Sequence, residues 1–216
     1  MYKLYYFPGN ANLIPHMLLE EIGAEYSLVS VDRANNAHKS AEYLALNPTG
    51  RIPVLIDGDL VLFETAAICL HLADRHPEAN LAPPPGTAER AHFYKWLIYL
   101  TNTVQAEQLF YFYPDRLADD AAGAAAVKAH AEAHIVGAGG MMDILEAQLA
   151  SSGGPWLLGR RYTAADPYLM VLARWTRMTG DPARNRPHLR RFLDAMAQRP
   201  AVRRAFEQEG LQPPWY

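Results

Sequence analysis

Between Phe7 and Asn12 the chain reads FPGNAN, with the aromatic run YKLYYF before it and LIPHMLLEEIG after it. A strand, a tight turn and a helix start leave backbone N–H groups that can hold an anion or a reactive group. The turn supplies Asn10 and Asn12 but no Ser, Cys, His or Asp. Glu64 and Thr65 follow a strand directly in FETAAICLHLADRH. A carboxylate beside free helix N–H groups suits an ammonium and a carboxylate on neighbouring atoms, which is an amino-acid zwitterion. Thr65 is also a residue type that caps helices. His38 and Lys39 place cationic side chains where a second carboxylate could end. In NPTGRIPVLIDG, Pro53 opens a strand. It is either an ordinary edge residue or the site of a cis Ile52–Pro53 bond that turns the Ile52 N–H and C=O toward an extended peptide. The three places together suit a short peptide with an amino-acid head and a carboxylate tail.

The elements that must position these groups fall into two halves. Residues 1–76 alternate short strands and helices in the order β-α-β-α-β-β-α. Strands are expected at YKLYYF, Tyr26–Val31, Pro53–Ile56 and Leu60–Phe63. Helices are expected on the stripe Leu13, Ile14, Met17, Leu18 and Ile22, over Lys39–Leu46 and over Thr65–Arg75. The β-α-β start requires a parallel pair with a right-handed crossover. Asp57-Gly58-Asp59 between two apolar runs predicts an antiparallel hairpin. Residues 77–89 carry four prolines and a glycine and read as a linker. From 90 to 216 helical periodicity takes over, at Ala91–Tyr111, Gly123–Ala150, Ala164–Thr179 and Pro187–Glu209 broken at Pro200. The fold class is therefore an α/β N-terminal domain followed by an all-α helical bundle.

Composition narrows the classes. The chain has 216 residues, half of them hydrophobic, and a net charge of −3. That charge gives no reason to expect a polyanionic partner, and the arginines between Arg184 and Arg204 read as a solvated helix face. A single cysteine, Cys69, allows no intrachain disulfide; it lies among apolar helix positions and reads as inert core. No leader pattern and no run of membrane length are present, so a cytoplasmic protein is expected. His130 and His134 stand four apart but lack the HExxH order, so no metal is expected. Asp119-Asp120 reads as a helix start.

The motifs YYFPGNANLIPHMLLEEIG, HKSAEYLALNPTGRIPVLIDG, FETAAICLHLAD and YTAADPYLMVLARW, in that order across the whole chain, resemble the cytosolic glutathione transferases, with a texture closest to the bacterial beta class. The resemblance implies a thioredoxin-like N-terminal domain, a helical C-terminal domain, a homodimer and glutathione as co-substrate. It also implies that Glu64 and Thr65 hold the γ-glutamyl end and that Ile52, ahead of Pro53, holds the cysteinyl backbone. Arg51 would lie beside them, and His38 and Lys39 would hold the glycyl carboxylate. In Tyr162–Asp166, similar to the family's buried capping box, Thr163 would cap a helix and Asp166 reach back to the Thr163 N–H.

The chain departs from that pattern at the thiol. The beta-class cysteine falls at Ala11, its neighbouring serine at Asn12, and the serine of delta- and theta-like members at Asn10. The beta-class histidine falls at Gln105; Tyr6 is the one matching group. A ligand that brings its own thiol needs only a depressed pKa, because the thiolate is the reactive form. Helix-start N–H groups and an asparagine amide can supply that. The catalytic candidates are thus Asn12, Asn10 and Tyr6, with Asn12 equally readable as a plain N-cap. A hydrophobic electrophile would meet Phe110, Tyr111, Tyr113 and Trp175. The implied activity is transfer of alkyl or aryl groups to glutathione. A glutathione-dependent lyase, ether-cleaving enzyme or disulfide reductase, or a non-catalytic ligand-binding homologue, are the alternatives.

Overall fold

The computed structural model describes residues 1–216 and divides them into two compact units. The first comprises Met1–Ala82 together with Ala197–Trp215; the second comprises Pro83–Met196 and Tyr216. This differs from a cut after residue 76 that leaves everything from 90 onward in one body. The reason is the last helix, which packs against the first.

In the first unit the strands are β1 (Tyr2–Tyr6), β2 (Tyr26–Ser30), β3 (Val54–Asp57) and β4 (Leu60–Phe63), and the helices α1 (Leu13–Ile22), α2 (Ala41–Leu46) and α3 (Thr65–Arg75). The sheet runs β2-β1-β3-β4. β1 pairs with β2 in parallel, Tyr2 opposite Tyr26, while β3 is antiparallel to both β1 and β4. The expected β-α-β-α-β-β-α order is present. The hairpin closes as the Asp-Gly pair suggested: Asp57 faces Leu60, and Gly58 takes φ +60°, which costs glycine little. Lys39 lies outside α2, in a 3₁₀ turn over Ala37–Lys39. Ser40 caps the helix by accepting from Tyr43 N at 3.2 Å.

Every residue of α1 from Leu13 to Leu19 is buried. One face of an amphipathic helix would leave several of these positions wet. α1 instead packs against both α3 and the C-terminal helix α10 (Pro200–Gln208). Two ion pairs fasten that last contact: Arg199 grips Glu21 with Nε–Oε1 at 2.5 Å and Nη2–Oε2 at 2.8 Å, and Arg204 pairs with Glu20.

The second unit contains α4 (Ala88–Ile98), α5 (Ala106–Phe112), α6 (Ala121–Val136), α7 (Met141–Ser151), α8 (Ala165–Trp175) and α9 (Pro187–Gln198); α10 (Pro200–Gln208) returns to the first unit. A π-helical segment, Tyr99–Gln105, joins α4 to α5, so the expected single helix over 91–111 is wound differently in its middle. The expected helix 123–150 is two helices, because Gly137, Gly139 and Gly140 interrupt it. A Cβ at Gly137 would lie 2.3 Å from the Ala133 carbonyl oxygen, and Gly139 takes φ +74°. Asp120 caps α6 by accepting from Gly123 N at 2.7 Å, as the Asp pair predicted. Asp166 is fully buried and accepts from Thr163 N at 2.7 Å and Leu157 N at 2.9 Å. The Thr163 hydroxyl donates to that same carboxylate at 3.2 Å instead of capping α8. No helix is long and apolar enough to cross a membrane.

Candidate functional site

The FPGNAN turn is built from its own carbonyls. Asn10 N donates to Phe7 O, Leu13 N to Asn10 O, Ile14 N to Ala11 O and His16 N to Asn12 O, at 3.0–3.2 Å; Pro15 has no N–H. The first-turn donors of α1 are therefore already spent within the turn. The N–H groups of Ala11 and Asn12 are the ones with no acceptor in the protein. Asn12 has no exposed surface, so of the two only Ala11, just ahead of the positive end of a helix dipole, can turn its N–H to a ligand.

Asn12 has a task that the sequence did not suggest. It occupies the N-cap position in a helical conformation, φ −58° and ψ −25°, and its side chain makes no capping bond. The residue is fully buried. Its Oδ1 accepts from Phe7 N at 3.1 Å and its Nδ2 donates to Glu209 Oε1 at 2.8 Å. Neither the cap nor the direct thiol contact fits a side chain sealed and bonded at both ends; it braces the turn. Asn10 is half-buried, and its Oδ1 receives Arg33 Nη1 at 3.5 Å. The Arg33 guanidinium also lies 5.5 Å from the centre of the Phe7 ring. A permanent cation thus stands over the turn, from a loop that sequence reasoning passed over. Tyr6 is half-buried at the end of β1.

At the start of α3, Glu64 rather than Thr65 takes the N-cap position. Its backbone has φ +72°, a conformation that non-glycine residues seldom adopt, and its side chain is exposed. Thr65 is the first helical residue, which puts its hydroxyl past the position from which it would cap. Ile68 N is the first amide with an intrahelical acceptor, Glu64 O at 3.0 Å, so the donors ahead of it remain available.

The Ile52–Pro53 bond is cis, and ladder pairing starts only at Val54. The approach to it is fixed from one carbonyl: Arg51 O accepts from Asn47 Nδ2 at 2.7 Å and from Tyr43 Oη at 2.8 Å, while the Arg51 side chain is exposed. His38 is half-buried and Lys39 exposed. Burial first, then the charges of Arg33 and Lys39, hold the His38 pKa below its ordinary value. Arg33 is thereby placed near both His38 and the turn.

In the second unit the four predicted aromatics separate. Tyr111 is buried, donates to Met178 O at 2.7 Å, and has Lys128 over its ring at 4.8 Å. Phe110 is exposed, and Trp175 and Tyr113 are half-buried, Trp175 edge-on to Phe112 and Tyr113 under Arg116. Gln105 accepts from Tyr168 Oη. The His130–His134 pair gains a third neighbour, Glu107, whose Oε1 lies 3.2 Å from His134 Nδ1. Cys69 is wholly buried and its thiol pKa is pushed up, as inert core requires.

In the first unit, Glu209 and His16 join Arg33 as residues that no motif announced. His16 sits among apolar α1 positions, a place where a histidine must be bonded if it is buried; that was its only signal.

A model of the glutathione S-transferase N-terminal domain matches residues 1–74, and one of the glutathione S-transferase C-terminal domain matches residues 120–209. Glutathione S-transferase GstA of Escherichia coli O157:H7 is 31% identical over 97% of this chain and all of its own. Glutathione S-transferase 3 of Zea mays is 33% identical over 98% of this chain and 96% of its own. The crystal structure of a glutathione transferase homologue from Sulfitobacter with bound glutathione superposes with a TM-score of 0.87, at 29% identity, covering 98% of this chain and 99% of that one.

Proposed function

Because the chain belongs to the glutathione S-transferase family, we propose that it binds glutathione on its first unit and bonds the glutathione sulfur to a hydrophobic electrophile. The observation that carries the reading is the Ala11 N–H, left without an acceptor beside the Arg33 cation in a turn that has no nucleophile of its own.

In this reading the thiol of glutathione meets the Ala11 N–H and the Asn10 amide, with Arg33 adding positive charge nearby. Each favours the thiolate over the thiol and depresses its pKa. The sulfur gives its proton to water. The thiolate lone pair then forms a bond to the electrophilic carbon, either displacing a leaving group with its bonding electrons or adding to an activated double bond, whose π electrons shift toward the activating group and then take a proton from water. Tyr6 is a further donor at the strand end. Asn12, named with these from sequence, acts on the reaction through the shape of the turn.

The rest of the tripeptide is held away from the reacting atom. Glu64 pairs with the γ-glutamyl ammonium, and the N–H groups opening α3 at Thr65 receive its carboxylate. Ile52, ahead of Pro53, pairs with the cysteinyl backbone. His38, Lys39 and Arg51 serve the glycyl carboxylate. We assign the electrophile to the accessible aromatic surface of Phe110, Tyr113 and Trp175, with Tyr111 as their support. A homodimer in the cytoplasm completes the proposal.

The test is equilibrium binding of glutathione followed by turnover over a panel of aromatic halides and activated alkenes. Binding with conjugation supports the transferase reading. Binding with no product across the panel removes it, and no binding removes the glutathione site itself.

A further inference from the structure

Beneath the turn lies a buried polar chain that the reaction above does not use. The Glu209 side chain is wholly buried. Its Oε2 accepts from Gly9 N at 2.8 Å; its Oε1 accepts from Asn12 Nδ2 at 2.8 Å and faces His16 Nδ1 at 2.9 Å. On its other side, His16 Nε2 faces Tyr26 Oη at 3.0 Å and Gln208 Oε1 at 2.9 Å. Glu20 and Arg204 continue the chain to the surface.

The hydrogen-bond partners fix where the protons are. Gln208 Nε2 donates to Glu20 Oε1 at 2.9 Å, which sets the amide orientation and leaves its oxygen toward His16. Tyr26 has one hydroxyl proton, and both of its other neighbours, Glu20 and Gln208 Oε1, are acceptors. Its lone pair therefore also faces His16. Nε2 meets only acceptors and must carry a proton. Nδ1 faces a carboxylate that already accepts from Gly9 N–H and the Asn12 amide, two bonds that favour its ionised form. The proton shared across that contact thus belongs to the ring.

We infer that His16 is a buried imidazolium paired with the Glu209 carboxylate, and that this neutral pair both fixes the Phe7–Asn12 turn and cancels a negative charge beneath it. The cancellation matters for the proposed chemistry. A bare carboxylate bonded to Gly9 and Asn12 would oppose a thiolate on the other side of the same turn. Removing one partner of a buried pair leaves such an uncompensated charge. His16 and Glu209 are positioning residues: neither touches the sulfur. The groups facing His16 are Glu209, Gln208 and Tyr26, with Glu20 and Arg204 behind them, so the charge on the ring is set by α1, β2 and the end of α10 together.

Two measurements test this, the second resting on the glutathione reading above. The ¹⁵N spectrum of His16 in the free protein at neutral pH should show both ring nitrogens protonated; one bare nitrogen overturns the inference. His16→Gln, which keeps a donor toward Glu209 but removes the charge, should raise the pKa of bound glutathione by about one unit. It should lower kcat more than it changes the glutathione KM. Adding Glu209→Gln should bring the thiol pKa back toward wild type, a reversal that mere loss of packing would not give. An unchanged thiol pKa in His16→Gln, or a further rise in the double variant, overturns the inference. If His16→Gln fails to fold, or wild type binds no glutathione, the ring spectrum of wild type still decides the ion pair; the second case counts against the proposed function alone.

Discussion

Asn12 Nδ2 lies 2.8 Å from Glu209 Oε1, across 197 positions of sequence. That contact joins the turn ahead of α1 to the end of α10, both inside the first unit. Asn12→Ala would strand Phe7 N–H and one bond of a buried carboxylate. A loss of about 1–3 kcal/mol in folding free energy is expected for the Phe7 N–H left unpaired, since Glu209 keeps its bonds to Gly9 and His16. Asn12→Asp should be worse than Asn12→Ala, because it sets a second carboxylate against Glu209. Urea unfolding of the two variants checks this; an Asp variant as stable as wild type would contradict the geometry.

Asp166 offers the complementary case, a buried carboxylate whose work is structural. Its bonds to Thr163 N and Leu157 N lie inside the second unit. Asp166→Ala should cost about 3 kcal/mol and leave the glutathione Kd of the folded protein unchanged. A weakened Kd at temperatures where the variant is fully folded would show that Asp166 has a second role.

His38 gives a pH signature. Its folded pKa lies below the ordinary 6.5, owing to burial and then to Arg33 and Lys39. Between the two values the unfolded chain binds more protons, so stability is highest above about pH 6.5 and falls as pH drops toward the folded value. His38→Asn should flatten that part of the curve. Thermal melts from pH 7.5 to pH 5 would show it, and a wild-type stability that rises with acid across this window would reverse the assigned direction.

Lys39 is exposed and, in the proposed pose, far from sulfur. Lys39→Ala should raise the glutathione KM several-fold, with kcat changed little. The contrast is Arg33→Ala, which should raise the bound-thiol pKa by about one unit because a cation over the turn is lost. Should Lys39→Ala move kcat and leave KM alone, its placement at the glycyl end is wrong.

Much of this was legible in the residues. Alternating aromatics, the Asp-Gly pair and a proline at a strand entrance determine the sheet, and each acts within a few residues of its own position. The same holds for Asp120 on Gly123 and for Asp166 on Thr163. What could not be read was long-range. Glu209 looks like any exposed charge at a helix end until α10 is packed on α1, and Arg33 looks like a loop cation until the loop is placed over Phe7. Asn12 was misread for a related reason: helix-start sequence suggests a cap, but a distant carboxylate competes for the amide and wins. The Gly137–Gly140 break was visible in the sequence and was overridden by the alanine-rich periodicity around it.

The most direct measurement is an ultraviolet pH titration of the thiolate of glutathione bound to the wild-type protein, beside Tyr6→Phe and Asn10→Ala. Acidification by the Ala11 N–H with Asn10 and Arg33 predicts an apparent pKa at least about one unit below the roughly 8.5 of a free thiol. That depression should persist in Tyr6→Phe and shrink in Asn10→Ala. A bound thiol that titrates like the free tripeptide, or a depression abolished by Tyr6→Phe alone, would contradict it.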